Sequence, residues 1–63
     1  MSITGIEIEL VGQDGNAFNI MGIATKALKK NGHADLVDVY MEEAMSGDYD
    51  HLLRTTMKYF EVN

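Results

Sequence analysis

The stretch that decides the fold is Val11-Gly12-Gln13-Asp14-Gly15-Asn16-Ala17-Phe18, where the periodicity of the chain changes. Before it, Ile6-Glu7-Ile8-Glu9-Leu10 alternates apolar and acidic residues. Such alternation predicts a strand with one buried and one solvated face. After it, apolar residues recur at the spacing of a helix: Ala17, Ile20, Met21, Ala24, Ala27 and Leu28. The polar stretch is therefore predicted to be the turn that connects a strand to a helix.

The ends of the first helix follow from short-range signals. Asn16 is a good N-cap, because its side-chain oxygen can accept from the free amides of the first turn, and Asp14 is the alternative cap. Asn31-Gly32 predicts the C-terminus. Gly22 falls in the middle of this helix, where glycine costs about 1 kcal/mol relative to alanine. Close approach of another backbone, including that of a symmetry mate, would explain a glycine at this position.

Two further helices and a strand are predicted in the second half. Residues Ala34 to Met45 form a helix with an apolar stripe, and Gly47 closes it. Asp48 caps a third helix, which gives way to a strand near Tyr59. The expected fold class is α+β: one β-α-α-α-β domain over residues 1–63, with a two-stranded antiparallel sheet packed on helices. Since two strands make a poor sheet, oligomerisation is expected to complete it.

Size supports the expectation of a homo-oligomer. A chain of 63 residues is near the lower limit for independent folding, and it contains no cysteine that could form a disulfide. No apolar run approaches the ~20 residues that span a bilayer, so no membrane association is expected. The first residues lack the basic and apolar segments of a signal peptide. The expected location is the cytoplasm, that of the host cell if the chain is phage-encoded.

Charge argues against a nucleic-acid partner. Ten acidic and five basic residues give a formal charge of −5, whereas phosphate contacts need clustered lysine or arginine. The basic cluster of Lys26, Lys29 and Lys30 lies at the predicted end of a helix, where it suits the helix dipole. An acidic chain could instead bind a basic protein surface or mimic nucleic acid.

The glycine-rich turn is the first candidate binding site. Backbone amides of Gly12, Gln13, Gly15 and Asn16, just before a helix, could hold an anion. The turn matches neither the phosphate-binding P-loop nor the dinucleotide fingerprint, and the carboxylate of Asp14 would repel an anion. An ordinary strand-to-helix turn with its cap is the alternative interpretation.

The second candidate site is the segment around Tyr49, His51 and Arg54. These side chains could stack on and hydrogen-bond a planar ligand. Arg54 is the only arginine, and its planar fork suits carboxylate or phosphate. Asp48 and Asp50 are better explained by capping and the helix dipole than by a metal site, because calcium-loop spacing is missing. No metal, cofactor or catalytic constellation is predicted, and the chain is not expected to be an enzyme.

Two blocks of the sequence resemble small uncharacterised proteins encoded by bacteriophage and prophage genomes. They are Val11–Phe18 followed by Ile20-Met21-Gly22, and Glu43–Leu53, which contains Ser46-Gly47-Asp48-Tyr49-Asp50-His51. The resemblance implies a setting and no residue role: such proteins often act on host machinery, including antiviral defence, by binding something.

Three hypotheses of function follow. The first is a non-enzymatic phage-type accessory protein that, as a homo-oligomer, binds and neutralises a host factor. The second is a small-molecule sponge for nucleotide signals, with sites between subunits built from the turn and from Tyr49, His51 or Arg54. The third is a structural or virion-associated module.

Overall fold

A computed structural model describes residues 2–63, which form a small α+β fold. Strand β1 spans Ile6–Ile8 and is followed by helix α1, Ala17–Lys30. A short 3-10 helix at Ala34–Leu36 leads into α2, Val37–Ala44. Helix α3, Tyr49–Tyr59, gives way directly to β2, Phe60–Val62. The element order agrees with the prediction, except that the segment from Ala34 begins as a 3-10 helix.

The two strands are parallel, so the predicted antiparallel sheet is wrong. Ile6 pairs with Phe60, and Ile8 with Val62. The reason lies in where α3 ends: the carbonyl oxygens of Lys58 and Tyr59 accept hydrogen bonds from the amides of Ile3 and Thr4. The chain therefore enters β2 beside the start of β1, and both strands run in the same direction.

The core lies between this sheet and the helices. α1 buries the predicted stripe through Ile20, Met21, Ala24 and Leu28, while Ala17 and Ala27 lie at its edge. Tyr40 from α2 sits at the centre and meets the rings of Tyr59 and Phe60 edge-on, with centroids 5.4 and 5.7 Å away. Such edge-to-face pairs are a favoured aromatic geometry.

The spacing of the sequence predicts an apolar stripe on α3 that consists of Tyr49, Leu52, Leu53, Thr56, Met57 and Phe60. Part of this stripe is not buried. Leu52, Thr56 and Phe60 are in the core, but Tyr49 and Met57 are exposed. Thr55, which lay outside the predicted stripe, is buried. The helix is therefore rotated toward its threonines. Thr56 can enter the core because its hydroxyl donates to the carbonyl oxygen of Leu52 at 2.8 Å, and the Thr55 hydroxyl lies 3.4 Å from Nε2 of His51.

Candidate functional site

The glycine-rich turn uses its polar groups internally. Asn16 caps α1 as predicted, since its side-chain oxygen accepts from the amide of Asn19 at 2.8 Å. The amide of Asn16 itself donates to a carboxylate oxygen of Asp14 at 3.2 Å, and the side chain of Asn19 donates to the Asp14 carbonyl at 2.7 Å. A carboxylate thus occupies the place where an anion would have to bind, which favours the turn interpretation.

Gly12 is needed for the shape of this turn. Its φ of 83° lies in the left-handed region, and the amide of Gln13 donates across the turn to the carbonyl of Leu10 at 3.1 Å. A residue with a Cβ is strained there, because only glycine adopts positive φ freely. Gly12 and Gln13 therefore have a local structural role.

Tyr49 ties the turn to the start of α3. Its hydroxyl donates to the carbonyl oxygen of Gly15, a contact between residues far apart in the sequence. A Cβ at position 15 would lie 3.3 Å from that hydroxyl oxygen, so glycine leaves room for the contact. The two predicted candidate segments do meet, but through a bond that consumes the tyrosine hydroxyl.

The segment before α3 forms a joint between two helices. Asp48 caps α3 by accepting from the amide of His51 at 2.9 Å. The ring Nε2 of His51 lies 2.9 Å from the carbonyl oxygen of Glu43, which can only accept, so Nε2 carries a proton. A Cβ at Gly47 would lie only 2.8 Å from the Cβ of His51. His51 thus closes the C-terminus of α2.

The side chains of Ser46 and His51 lie close together. The Ser46 hydroxyl is 3.1 Å from Nε2 of His51, a distance found between a nucleophile and its base. However, that hydroxyl also donates to the carbonyl of Glu43 at 2.7 Å. Both side chains are directed at the same backbone oxygen. They satisfy a carbonyl group in the last turn of α2, where the helix itself provides no hydrogen-bond donor.

Arg54 does not join the turn. Its guanidinium pairs with Asp50 one turn earlier at 3.0 Å, and the two side chains are 67 and 72 % exposed. Along a helix, Tyr49 and Arg54 point about 140° apart. Tyr49 and Arg54 therefore do not converge on one ligand within this chain, whereas His51 and Arg54 line one groove together with Lys58. Nucleotide titration remains the test of the nucleotide-binding alternative.

An exposed apolar surface is the feature that the sequence reading missed. Phe18 is 81 % exposed, Met45 61 % and Tyr49 47 %. All three border a groove of about 270 Å³ between α1 and the start of α3, with Met21 and Leu52 among its other lining residues. We call Phe18, Met45 and Tyr49 the aromatic face. The sequence does carry a signal for the exposure of Phe18: on a helical wheel this residue projects about 100° from the middle of the buried stripe.

A charged cluster lies beside His51 and Arg54, between α2 and α3. The Lys58 ammonium contacts the Glu43 carboxylate at 2.7 Å, and this hydrogen bond lowers the pKa of Glu43. The Tyr59 hydroxyl donates to the same carboxylate at 3.1 Å. Burial, followed by this bond, raises the pKa of Tyr59. The tyrosine thus stays a neutral donor, and the cluster joins two helices.

Within the described residues, neither a metal cluster nor a membrane-spanning helix points to a further site. Within residues 2–63, no three potential metal-binding side chains come together. The same residues contain no helix with the length and hydropathy needed to cross a membrane. Comparison of the chain with protein-family models, with curated proteins and with solved structures gives no match.

Proposed function

We propose that this chain is a non-enzymatic accessory protein of the phage type, which binds and neutralises a host protein through the aromatic face. The observation that carries the proposal is Phe18, 81 % exposed beside an apolar groove. Single exposed apolar residues are common on proteins, but a contiguous group around a groove is typical of an interaction surface. Covering one such ring contributes about 1.5–3 kcal/mol.

Gly22 supports the same face of α1. It lies one turn after Phe18, it is exposed, and open space surrounds the position where its Cβ would be. Nothing within the described chain therefore explains a glycine in mid-helix. A partner backbone packed closely beside Phe18 would explain it, because the missing Cβ permits close approach.

The charge near the aromatic face selects the partner. Asp48 lines the groove, and Asp14 is bonded to the first turn of α1. The first 25 residues contain neither lysine nor arginine. The partner that fits is a protein segment with an apolar anchor flanked by lysine or arginine, since opposite charges favour its approach.

A second copy of the chain is the competing occupant, and it is the form that the expected homo-oligomer would take here. Its acidic groups would face those of the first copy. Salt would weaken attraction to a basic partner but would relieve the repulsion between two acidic copies. Light scattering at micromolar concentration, at low and high salt, measures self-association directly, and a monomer under both conditions would contradict the oligomer.

The partner is tested by capture from a bacterial lysate, followed by direct binding of the purified captured protein. Phe18→Ser removes the exposed ring without touching the core. Met57→Ser is the matched control, because Met57 is also exposed (55 %) but lies away from the groove. We expect Phe18→Ser to abolish capture and Met57→Ser to preserve it. Equal binding by both variants would refute the proposed surface.

A further inference from the structure

A second and larger groove lies along the start of β1. It has a volume of about 870 Å³ and separates Gly5, Ile6 and Glu7 from the second half of α1. We call it the β1 groove. Its helical wall carries Lys26 and Lys30, which are four residues apart and therefore share one face of α1. Among the described residues, none lines both this groove and the groove beside Phe18.

The strand beside this groove has an open edge. The carbonyl of Ile8 accepts from the amide of Asn63, so the backbone of Ile8 is directed at the β2 side of the sheet. Adjacent residues of a strand direct their N–H and C=O groups to opposite sides. Glu7 therefore points these groups away from β2, and within residues 2–63 no second strand pairs with them. An extended peptide can pair with such an edge.

The chain's own strands do not suit this edge. Their solvent-side residues are acidic: Glu7 and Glu9 flank buried Ile8, and Glu61 follows buried Phe60. A second copy of β1 or β2 would place more carboxylates beside Glu7, and like charges on neighbouring strands are destabilising. Its helix-side residues would be apolar, opposite Lys26 and Lys30. The edge thus selects against a second copy.

The alternation of side chains defines a better occupant. On a strand added beside β1, every second side chain would face Lys26 and Lys30, and the others would lie beside Glu7 on the solvent side. We propose that the β1 groove binds an extended segment of another protein by strand addition. That segment carries acidic residues at alternate positions on its helix-facing side and neutral or basic residues between them.

A synthetic octapeptide that alternates glutamate and threonine is a direct probe, because threonine favours strands. Titration of the isotope-labelled protein, followed by NMR, should shift the amide signals of Glu7 and of α1 near Lys26. The Glu7 amide should also exchange more slowly with solvent. A peptide of the same composition with its four glutamates grouped first has the same charge, and it should bind at least about tenfold more weakly.

Variants of the lysines test the charge requirement. Combined Lys26→Glu and Lys30→Glu should weaken binding of the alternating peptide by about tenfold or more, because two attractive pairs become repulsive. Lys29→Glu, compared with each single variant Lys26→Glu or Lys30→Glu, is the control matched in charge, since Lys29 is exposed on the same helix but does not line the groove. Circular dichroism checks that each variant is folded.

Several outcomes would overturn the proposal. They are an absence of shifts at millimolar peptide, equal binding of the grouped peptide, and an equal loss for Lys29→Glu and the double variant. The test is independent of the proposed function, because Phe18→Ser should leave peptide binding unchanged. Failure of one surface is therefore distinguishable from failure of the other.

Discussion

The buried hydrogen bond between Tyr40 and Thr56 offers the sharpest test of the packing. The two side-chain oxygens are 2.7 Å apart, and neither residue is exposed to solvent. The Thr56 hydroxyl also lies 2.8 Å from the carbonyl oxygen of Leu52, to which it donates. Since that proton is committed to Leu52, the Tyr40 hydroxyl must be the donor to Thr56.

This directionality makes the two single variants unequal. Tyr40→Phe removes the donor and leaves Thr56 bonded to Leu52, so it should cost about 1 kcal/mol, the typical net value of one hydrogen bond. Thr56→Val removes the acceptor and leaves a phenol hydroxyl without a partner in the core. That desolvated group should cost about 1–3 kcal/mol, in addition to the lost bond to Leu52.

The double variant completes the cycle. With Tyr40→Phe in place, Thr56→Val no longer leaves a hydroxyl unpaired, so its cost should be smaller than in the wild-type background. Urea unfolding followed by circular dichroism gives the free energies. Thermal unfolding should show Tyr40→Phe lowering Tm by about 4–8 °C per kcal/mol in a domain of this size. Strictly additive costs, or a Tyr40→Phe cost above that of Thr56→Val, would refute the assigned direction.

Three further variants test the aromatic face, the ion pair between Glu43 and Lys58, and the N-cap of α1. Gly22→Ala should stabilise the isolated chain by about 0.5–1 kcal/mol in thermal unfolding, because its Cβ meets open space, and should weaken partner binding at the aromatic face. Glu43→Gln should lower Tm at pH 7. Because Lys58 lowers the folded pKa of Glu43 below its ordinary 4.5, the advantage of the wild type is full above about pH 4.5 and is lost as the pH falls through the folded value. Asn16→Ala should cost about 1 kcal/mol in urea unfolding, the usual value of an N-cap.

Each of these variants has an outcome that contradicts its premise. A destabilised Gly22→Ala chain would mean that position 22 is packed within the molecule. A Glu43→Gln difference that persists unchanged at pH 2 would show that the ion pair with Lys58 is not its cause. An Asn16→Ala chain as stable as the wild type would mean that the cap bond to Asn19 contributes nothing.

The helix ends were predictable because they depend on neighbours in the sequence. Asn16 caps α1 through Asn19, and Asp48 caps α3 through His51, each over three residues. The change from α3 to β2 beside Tyr59 was also predictable, since the last apolar residues suit both periodicities. Such signals do not depend on contacts between residues that are far apart in the sequence.

The candidate site was less predictable. The sequence marked the glycine-rich turn and the segment around Tyr49 as candidate binding sites, but in the structure their residues mostly serve capping and helix joining. Arg54 was grouped with them by proximity in sequence, yet it pairs with Asp50 and projects about 140° away from Tyr49 on α3. Exposure of Phe18 depends on the exact rotation of α1 against the core, and periodicity gives that only coarsely.

The sequence by itself determined the order of the elements, the caps of α1 and α3, and the strand-to-helix turn at Val11–Phe18. These follow from interactions within a few residues and from the period of apolar positions. The tertiary structure decided that β1 and β2 are parallel, that Tyr49 reaches Gly15, and that the aromatic face and the β1 groove exist. The physical reason is that alternation in a strand is the same for either direction of pairing. Contacts between distant residues are set only when the three helices pack together and return the chain to its starting end.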